Sequence, residues 1–495
     1  MPEQSNVSTR DPTVSRPGGE SALTPGLPPG TGWPSIVQTV AWLWFMERWV
    51  RRGHRRLDSP VTCRILGVGE VVSVWDPELV KQLFTGDSDV LHAGEANARV
   101  LGRVAPNSLL ALDGARHVRM RRLLSPPFHG EAVRRYRQLI GELATAEVQR
   151  WPVGEGFAIY PRMQAIALEV ILRAVIGVRD PARMARLREL LPKMAGASAV
   201  AFTLEARNPR LAGGWIGAWL PWVRARREAE VLLYEEIAAH RSDPDGREDI
   251  LAGLMEARDE NGEPLTDEEL RDQLVTLLIA GQETTATALA WCFERLLRHP
   301  AVLARLEREL AGGESDAYLD AVVNETLRVR PPLEGVWRKL TAPLELGGYL
   351  LPAGTIVSVT IISVHLSEVF PDAERFRPER FLDQPTPSYA LIPFGGGSRR
   401  CIGASFALME MKTILRTVLE HVELRAPTQK PERAVRTRRI TTVPARGGRV
   451  LVTSRRPIPP GPSDPTVERS ARSGVEMTMT CRRGRVRAFR ACSRG

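Results

Sequence analysis

Cysteine is scarce in this chain. Its five cysteines (Cys63, Cys292, Cys401, Cys481, Cys492) are odd in number and scattered, which argues against a disulfide framework and for a reducing compartment. No C-x-x-C pair or histidine cluster offers a zinc site, and no cysteine set has iron–sulfur spacing. Lysine is as rare: it occurs five times among 68 basic residues, so the net charge of +10 is carried by arginine. Half of that excess lies in residues 457–495, where eight arginines face three acids. A basic chain can bind nucleic acid, but a recognition motif and an aromatic stacking stripe are both missing, so no nucleic-acid partner is expected. There is no apolar run long enough to span a bilayer: the uncharged stretch Trp33–Met46 has 14 residues, against the ~20 required. The N-terminal residues hold no signal-peptide core, and no G-x-G-x-x-G unit supplies a nicotinamide or flavin site.

What is present falls into segments. Residues 1–32 are rich in Pro, Gly and Ser, lack periodicity and read as disordered. Trp33 to Val50, followed by RRGHRR, reads as an amphipathic first helix with at most peripheral membrane contact. Residues 61–75 read as two short strands joined at a Gly67–Gly69 turn, Asp76 to Phe84 as a short helix, and 85–112 as a long irregular loop. Residues 131–195 read as helices with arginine on their polar faces, and residues 343–364 and 438–453 as strands, the latter a closing hairpin. Thr266 opens the longest helix. It forms a capping box with Glu269, and Asp267, Glu268 and Glu269 crowd the positive helix end. Pro300 stops the pattern after about 32 residues, or ~48 Å. Ala280-Gly281 in its middle makes a small surface against which a flat cofactor could press. Glu283, Thr284 and Thr285 then set an acid and hydroxyls in an apolar segment, where polar groups cost free energy unless satisfied. A threonine there can bond back to the carbonyl one turn earlier.

The most informative stretch is Phe394 to Ala407, FGGGSRRCIGASFA. Three glycines permit a tight path with positive φ, and an apolar helix follows. The free N–H groups of that helix start, with Arg399 and Arg400, favour thiolate over thiol at Cys401. Phe394, Gly397, Arg399, Cys401 and Gly403 together match F-x-x-G-x-R-x-C-x-G, which resembles the haem-binding loop of the cytochromes P450, where cysteine is the axial ligand.

Three further motifs, AGQETT, E-x-x-R and FRPERF, stand before that loop in the order that family has. AGQETT resembles its oxygen-binding groove, which implies that Glu283 and Thr284 relay protons and that Ala280 lies against haem. Glu325 and Arg328, three apart in a helix ending at Pro331, resemble its E-x-x-R pair, and FRPERF supplies Arg380 as the third member of a buried structural triad. His117 and Arg121 resemble its H-x-x-x-R pair for haem propionates, with Arg338 and Arg399 as further contacts. The resemblance implies a mainly α fold with a small β-rich subdomain over residues 33–455, holding haem b through Cys401. It makes 196–227, with Phe202, Trp215, Trp219 and Trp222, a lid over the substrate pocket. Residues 456–495 match nothing and are expected to be disordered. The implied reaction is insertion of one oxygen atom from dioxygen into a hydrophobic small molecule by a cytoplasmic monomer. Electrons would come from a separate ferredoxin and its NAD(P)H-dependent reductase, docking near Arg399 and Arg400. Two alternatives stay open: a peroxide-driven or isomerising haem-thiolate enzyme, and a non-enzymatic haem sensor or carrier.

Overall fold

A computed structural model describes residues 23–44, 49–51, 53, 56–101, 105–195, 221–313, 315–435 and 441–457. Strand β1 (Thr24–Pro25) and helix α1 (Ser35–Trp44) lead into an antiparallel hairpin of β2 (Val61–Ile65) and β3 (Gly69–Val74). Its turn runs through Gly67 and Gly69, both with positive φ. Helix α2 (Pro77–Thr85) starts where Asp76 accepts hydrogen bonds from the N–H groups of Glu78 (3.0 Å) and Leu79 (3.1 Å). After β4 (Leu91–His92) and α3 (Ala93–Leu101) come α4 (Gly114–Leu124), α5 (Gly130–Val148), β5 (Gly156–Ala158) and α6 (Tyr160–Val170), which widens into a π turn at Ile171–Val175. Helices α7 (Pro181–Ala195), α8 (Pro221–Ser242) and α9 (Ile250–Glu256) precede the long α10 (Asp267–Leu296), and α11 (Pro300–Gly312) and α12 (Ala317–Val329) follow it. Then come β6 (Gly335–Leu340), β7 (Leu344–Leu346), β8 (Tyr349–Leu351) and β9 (Ile356–Thr360), two single helical turns (Ile361–Val364 and Arg380–Asp383), and α13 (Ala404–His421). Strands β10 (Val422–Arg425), β11 (Ala434–Val435), β12 (Val443–Pro444) and β13 (Arg449–Arg455) are the last elements among the described residues.

Helix α10 is the axis of the molecule. Its capping box is complete: Thr266 Oγ1 accepts from Glu269 N (3.2 Å), and Glu269 Oε2 accepts from Thr266 N (3.0 Å). From Thr285 to Phe293 every side chain is buried, as expected of a helix apolar all round. It packs against α6, α8, α12 and α13, and α13 also lies along α5, where Phe406 meets the rings of Phe128 and Tyr136. The strands form a separate layer. A five-stranded sheet runs β2-β3-β9-β6-β4, with β3 and β9 parallel and its other pairs antiparallel. It buries its own apolar cluster, including Val72, Val74, Val357 and Val359.

Three expectations need correction. Order begins before Trp33: β1 pairs parallel with β8, and Thr62 donates from Oγ1 to Pro28 O (2.6 Å) and from N to Pro29 O (3.1 Å). A proline-rich stretch lacks donors but keeps every carbonyl, so it can line a strand as an acceptor edge. Residues 85–112 are not one loop, since β4 and α3 lie within them. The segment 438–453 is not a self-paired hairpin. Its strand β12 pairs with β11, while β13 crosses to a sheet ordered β10-β13-β5. Phe202, Trp215, Trp219 and the side chain of Trp222 lie outside the described residues, as do residues 458–495.

Candidate active site

The Cys401 loop is a backbone construction. Cys401 N donates to Phe394 O (2.9 Å), Gly395 N to Ile392 O (2.9 Å) and Arg400 N to Gly397 O (3.1 Å). Gly397 has φ +62°, and a Cβ there would stand 1.8 Å from Phe84 O; at Gly396 it would stand 2.4 Å from the Phe84 ring. The glycines therefore bring the loop against the end of α2. Cys401 lies deep in protein, yet its sulfur is accessible. Its thiol pKa is raised above the ordinary value by burial, against the lowering effects of Gly403 N–H, Arg121 and Arg400. The helix start does aim an N–H at the sulfur, as the sequence suggested, but desolvation outweighs it. A cation bound at the sulfur is what would hold the thiolate.

Around the sulfur the chain gathers positive charge. His117 is buried, and its pKa falls to about 4 through burial first, then Arg399 and Arg121, with Arg338 contributing less. The imidazole is thus neutral and able to donate. Burial, then Arg399, pushes Arg338 down to about 10. Arg399 donates to Asp113 Oδ1 and to Leu109 O (3.4 Å), and Arg121 donates to Arg400 O (2.8 Å). Three guanidiniums facing one carboxylate leave two positive charges in excess. Haem b carries two propionates, so this donor set and an accessible cysteine sulfur fit haem in charge and chemistry.

Asp113 was not singled out from sequence. It precedes α4 but does not cap it; its Oδ1 accepts from Gly94 N (2.8 Å) and its Oδ2 from Glu95 N (2.7 Å) at the start of α3. An aspartate before a helix suggests a cap on its own helix, and nothing in the spacing points to another.

On α10, Thr284 Oγ1 donates to Ala280 O (2.7 Å), the back-bond expected there. Ala280 is exposed, whereas Gly281 faces the other way, where a Cβ would meet Ile171 Cδ1 at 3.2 Å. The two do not form one surface: Gly281 lets the π turn approach. The Glu283 carboxylate accepts from Tyr160 Oη (2.5 Å) and Thr441 Oγ1 (2.9 Å) at Oε1, and from Gln164 Nε2 (3.2 Å) at Oε2. Thr285 turns inward on the side of Glu410 of α13, a buried carboxyl whose pKa rises to about 8 through burial, against the lowering effect of the Thr285 hydroxyl. None of Tyr160, Gln164, Thr441 and Glu410 carries a motif.

Glu325, Arg328 and Arg380 meet in the interior. Arg328 donates to Glu325 from Nε (2.7 Å) and Nη2 (2.8 Å), and Arg380 Nε donates to Glu325 Oε1 (3.2 Å). Arg328 also reaches His365 O (2.9 Å) and Arg375 O (3.2 Å). His365, missed from sequence, links this network to the cysteine loop. Its Nε2 accepts from Ile392 N (2.9 Å), which leaves Nδ1 to donate to Arg328 O (3.0 Å). Burial lowers its pKa to about 3, which keeps that arrangement uncharged.

The comparisons with known proteins agree with this geometry. The cytochrome P450 family model matches residues 28–451. A Mycobacterium tuberculosis protein named cytochrome P450 135B1 is 44% identical over 444 residues, covering 88% of this chain and 93% of that one. Cytochrome P450 137 of the same organism is 40% identical over 432 residues, covering 86% and 90%. Among solved structures, the haem domain of cytochrome P450DA superposes with a TM-score of 0.78 at 24% identity, covering 88% of this chain and 99% of that one. A cyanobacterial P450 with retinoic acid bound gives 0.75 at 26% identity, covering 87% and 99%. Members of this family bind haem through a cysteine thiolate and act as monooxygenases, and the chain belongs to it: it is a cytochrome P450.

Proposed function

We propose that Cys401 is the axial thiolate of haem b and that the enzyme inserts one oxygen atom from dioxygen into a hydrophobic small molecule. The observation that carries this reading is the convergence of His117, Arg121, Arg338 and Arg399 beside the accessible Cys401 sulfur. When bound, haem supplies dioxygen activation and oxygen transfer to a C–H or C=C bond. The chain's own residues do the rest. Neutral His117 and the guanidiniums hold the propionates, and Asp113 orients Arg399. Glu283 and Thr284 are the proton-delivery pair: the Thr284 hydroxyl is anchored on Ala280 O, and the neighbouring Glu283 carboxylate is held by Tyr160, Thr441 and Gln164, the set through which a proton would reach it. An apolar substrate agrees with the retinoic acid bound by the cyanobacterial relative.

Electrons would come from a separate ferredoxin and its NAD(P)H-dependent reductase, meeting a monomer in the cytoplasm. Arg400 is exposed and suits an acidic partner, whereas Arg399 is turned inward onto Asp113. The acid–alcohol pair on α10 favours oxygen insertion over peroxide-driven or isomerising haem-thiolate enzymes, which usually depart from that pair, and over a sensor, which needs no proton delivery. Cys401→Ala is expected to abolish the long-wavelength Soret band of the reduced carbon monoxide complex, and a retained band rejects the ligand assignment. Product formation coupled to NADH use with a surrogate ferredoxin system separates the monooxygenase from its rivals.

A further inference from the structure

The face of α10 that carries Ala280 and Thr284 continues towards the helix start through Thr276 and Gln273, at spacings of three and four residues. There it is covered by residues 107–109, which lie between α3 and α4. Gln273 is buried, and its carboxamide holds the two backbone groups that flank Ser108: Oε1 accepts from Leu109 N (3.0 Å), and Nε2 donates to Asn107 O (2.6 Å). This is the donor and acceptor that a neighbouring strand would offer, supplied here by one side chain. Beside it Asp272 Oδ2 accepts from Asn107 N (2.8 Å), and the Thr276 and Ser108 hydroxyls meet at 2.7 Å. Three consecutive residues are thus fastened to α10. The same segment reaches the cysteine loop, where Leu109 O accepts from Arg399 Nη1 (3.4 Å).

We propose that Gln273 is a positioning residue for the substrate pocket: it fixes the 107–109 segment as a wall beside Ala280 and Thr284. The inference rests on the haem assignment. The segment bridges the stripe of α10 that bears Thr284 and Arg399, two residues before Cys401. It therefore borders the space between the acid–alcohol pair and the cysteine sulfur. A wall hung on the helix that carries Thr284 keeps its place relative to that hydroxyl. Without the carboxamide, Asn107 O and Leu109 N would be buried without partners, which costs free energy, so the segment would shift to regain them. A bulky molecule seated over haem would register that shift, and a small one would not.

The test uses the full chain, haem-loaded, titrated with imidazole and with phenylimidazole. Both bind haem iron through nitrogen and shift the Soret band, but only the second reaches a wall. Gln273→Met keeps the volume and removes both bonds. It is expected to weaken phenylimidazole about tenfold and leave imidazole unchanged, with faster hydrogen exchange at the Leu109 amide. Ser108→Ala keeps both carboxamide bonds and should have a smaller effect; an equal effect would assign the role to the hydroxyl pair and overturn it for Gln273. An unchanged or reversed azole ratio in Gln273→Met overturns the inference, as does unchanged exchange at Leu109. Equal weakening of both azoles also overturns it, because general damage to the site moves both. A wild type whose Soret band neither azole shifts would reject the haem assignment itself, whereas a normal wild-type titration with an unchanged ratio in the variant overturns this inference alone.

Discussion

At Gly397 a methyl group has nowhere to go. The residue holds φ +62° and approaches Phe84 O so closely that a Cβ would stand 1.8 Å away, while Gly395, at φ +67°, has open space around its Cβ position. The two glycines separate conformational strain from collision. Gly395→Ala is expected to cost about 1 kcal/mol, the strain of a left-handed residue. Gly397→Ala adds the movement of α2 or of the loop, with a cost of about 3 kcal/mol or more and a lower haem-to-protein ratio. Equal effects in thermal melts would show that collision is not what selects glycine at Gly397. Glu410 makes a pH prediction. Its folded pKa is near 8 and its ordinary value 4.5. Between these the folded protein keeps a proton that the unfolded chain has lost, so stability falls as pH rises, by at most about 1.4 kcal/mol per pH unit, and the slope ends above the folded value. Glu410→Gln should flatten that slope. The variant should melt above the wild type near pH 8, with the gap closing towards about pH 5. Parallel melting curves across this range would reject a protonated Glu410.

Between elements, the Glu325 network bears the most. Glu325→Ala leaves Arg328 and Arg380 buried without their carboxylate, and should cost about 3–5 kcal/mol in denaturant melts. Arg380→Leu should cost less, because Arg328 retains its two bonds to Glu325. If Arg380→Leu cost as much, the weight would lie in its bonds to the 371–375 turn instead. The Glu325–Arg328 pair was legible because three residues is a helical repeat. His365 was not, because its bonds to Arg328 and Ile392 span 37 and 27 residues and arise only when the chain folds. The same division holds for whole elements. The start of α10 could be read from a capping box and its end, at Leu296, to within a turn from Pro300, which opens the next helix; both signals act locally. Helix α3 was hidden inside a polar stretch with little apolar period, and the partners of β13 could not be read because strand pairing is a long-range property.

For the whole molecule, the placement of α10, α12 and the cysteine loop around one site came from the order of four motifs, not from periodicity. What no motif reached was the role of β13, the last strand among the described residues. β13 is the middle strand of its sheet, held by β10 on one side and β5 on the other. Val450 and Val452 are fully buried in the main core. At its end Arg455 donates to Val148 O (3.3 Å), Gln149 O (3.0 Å) and Trp151 O (2.9 Å), and Arg456 N donates to His421 O (2.8 Å). These bonds tie the last turns of α5 and α13 together, and α13 begins at the cysteine loop. A chain ending after Arg456 keeps all of them and should load haem with an unchanged reduced carbon monoxide spectrum and melting temperature. A chain ending after Gly448 loses the middle strand and exposes the edges of both neighbours, so it should be recovered without haem or in aggregates. If the shorter chain loaded haem normally, β13 would be dispensable and the α5–α13 pair would stand without it. If the longer chain failed, residues beyond Arg456 would have to take part in folding, and the boundary of the haem-binding unit would move towards the C-terminus.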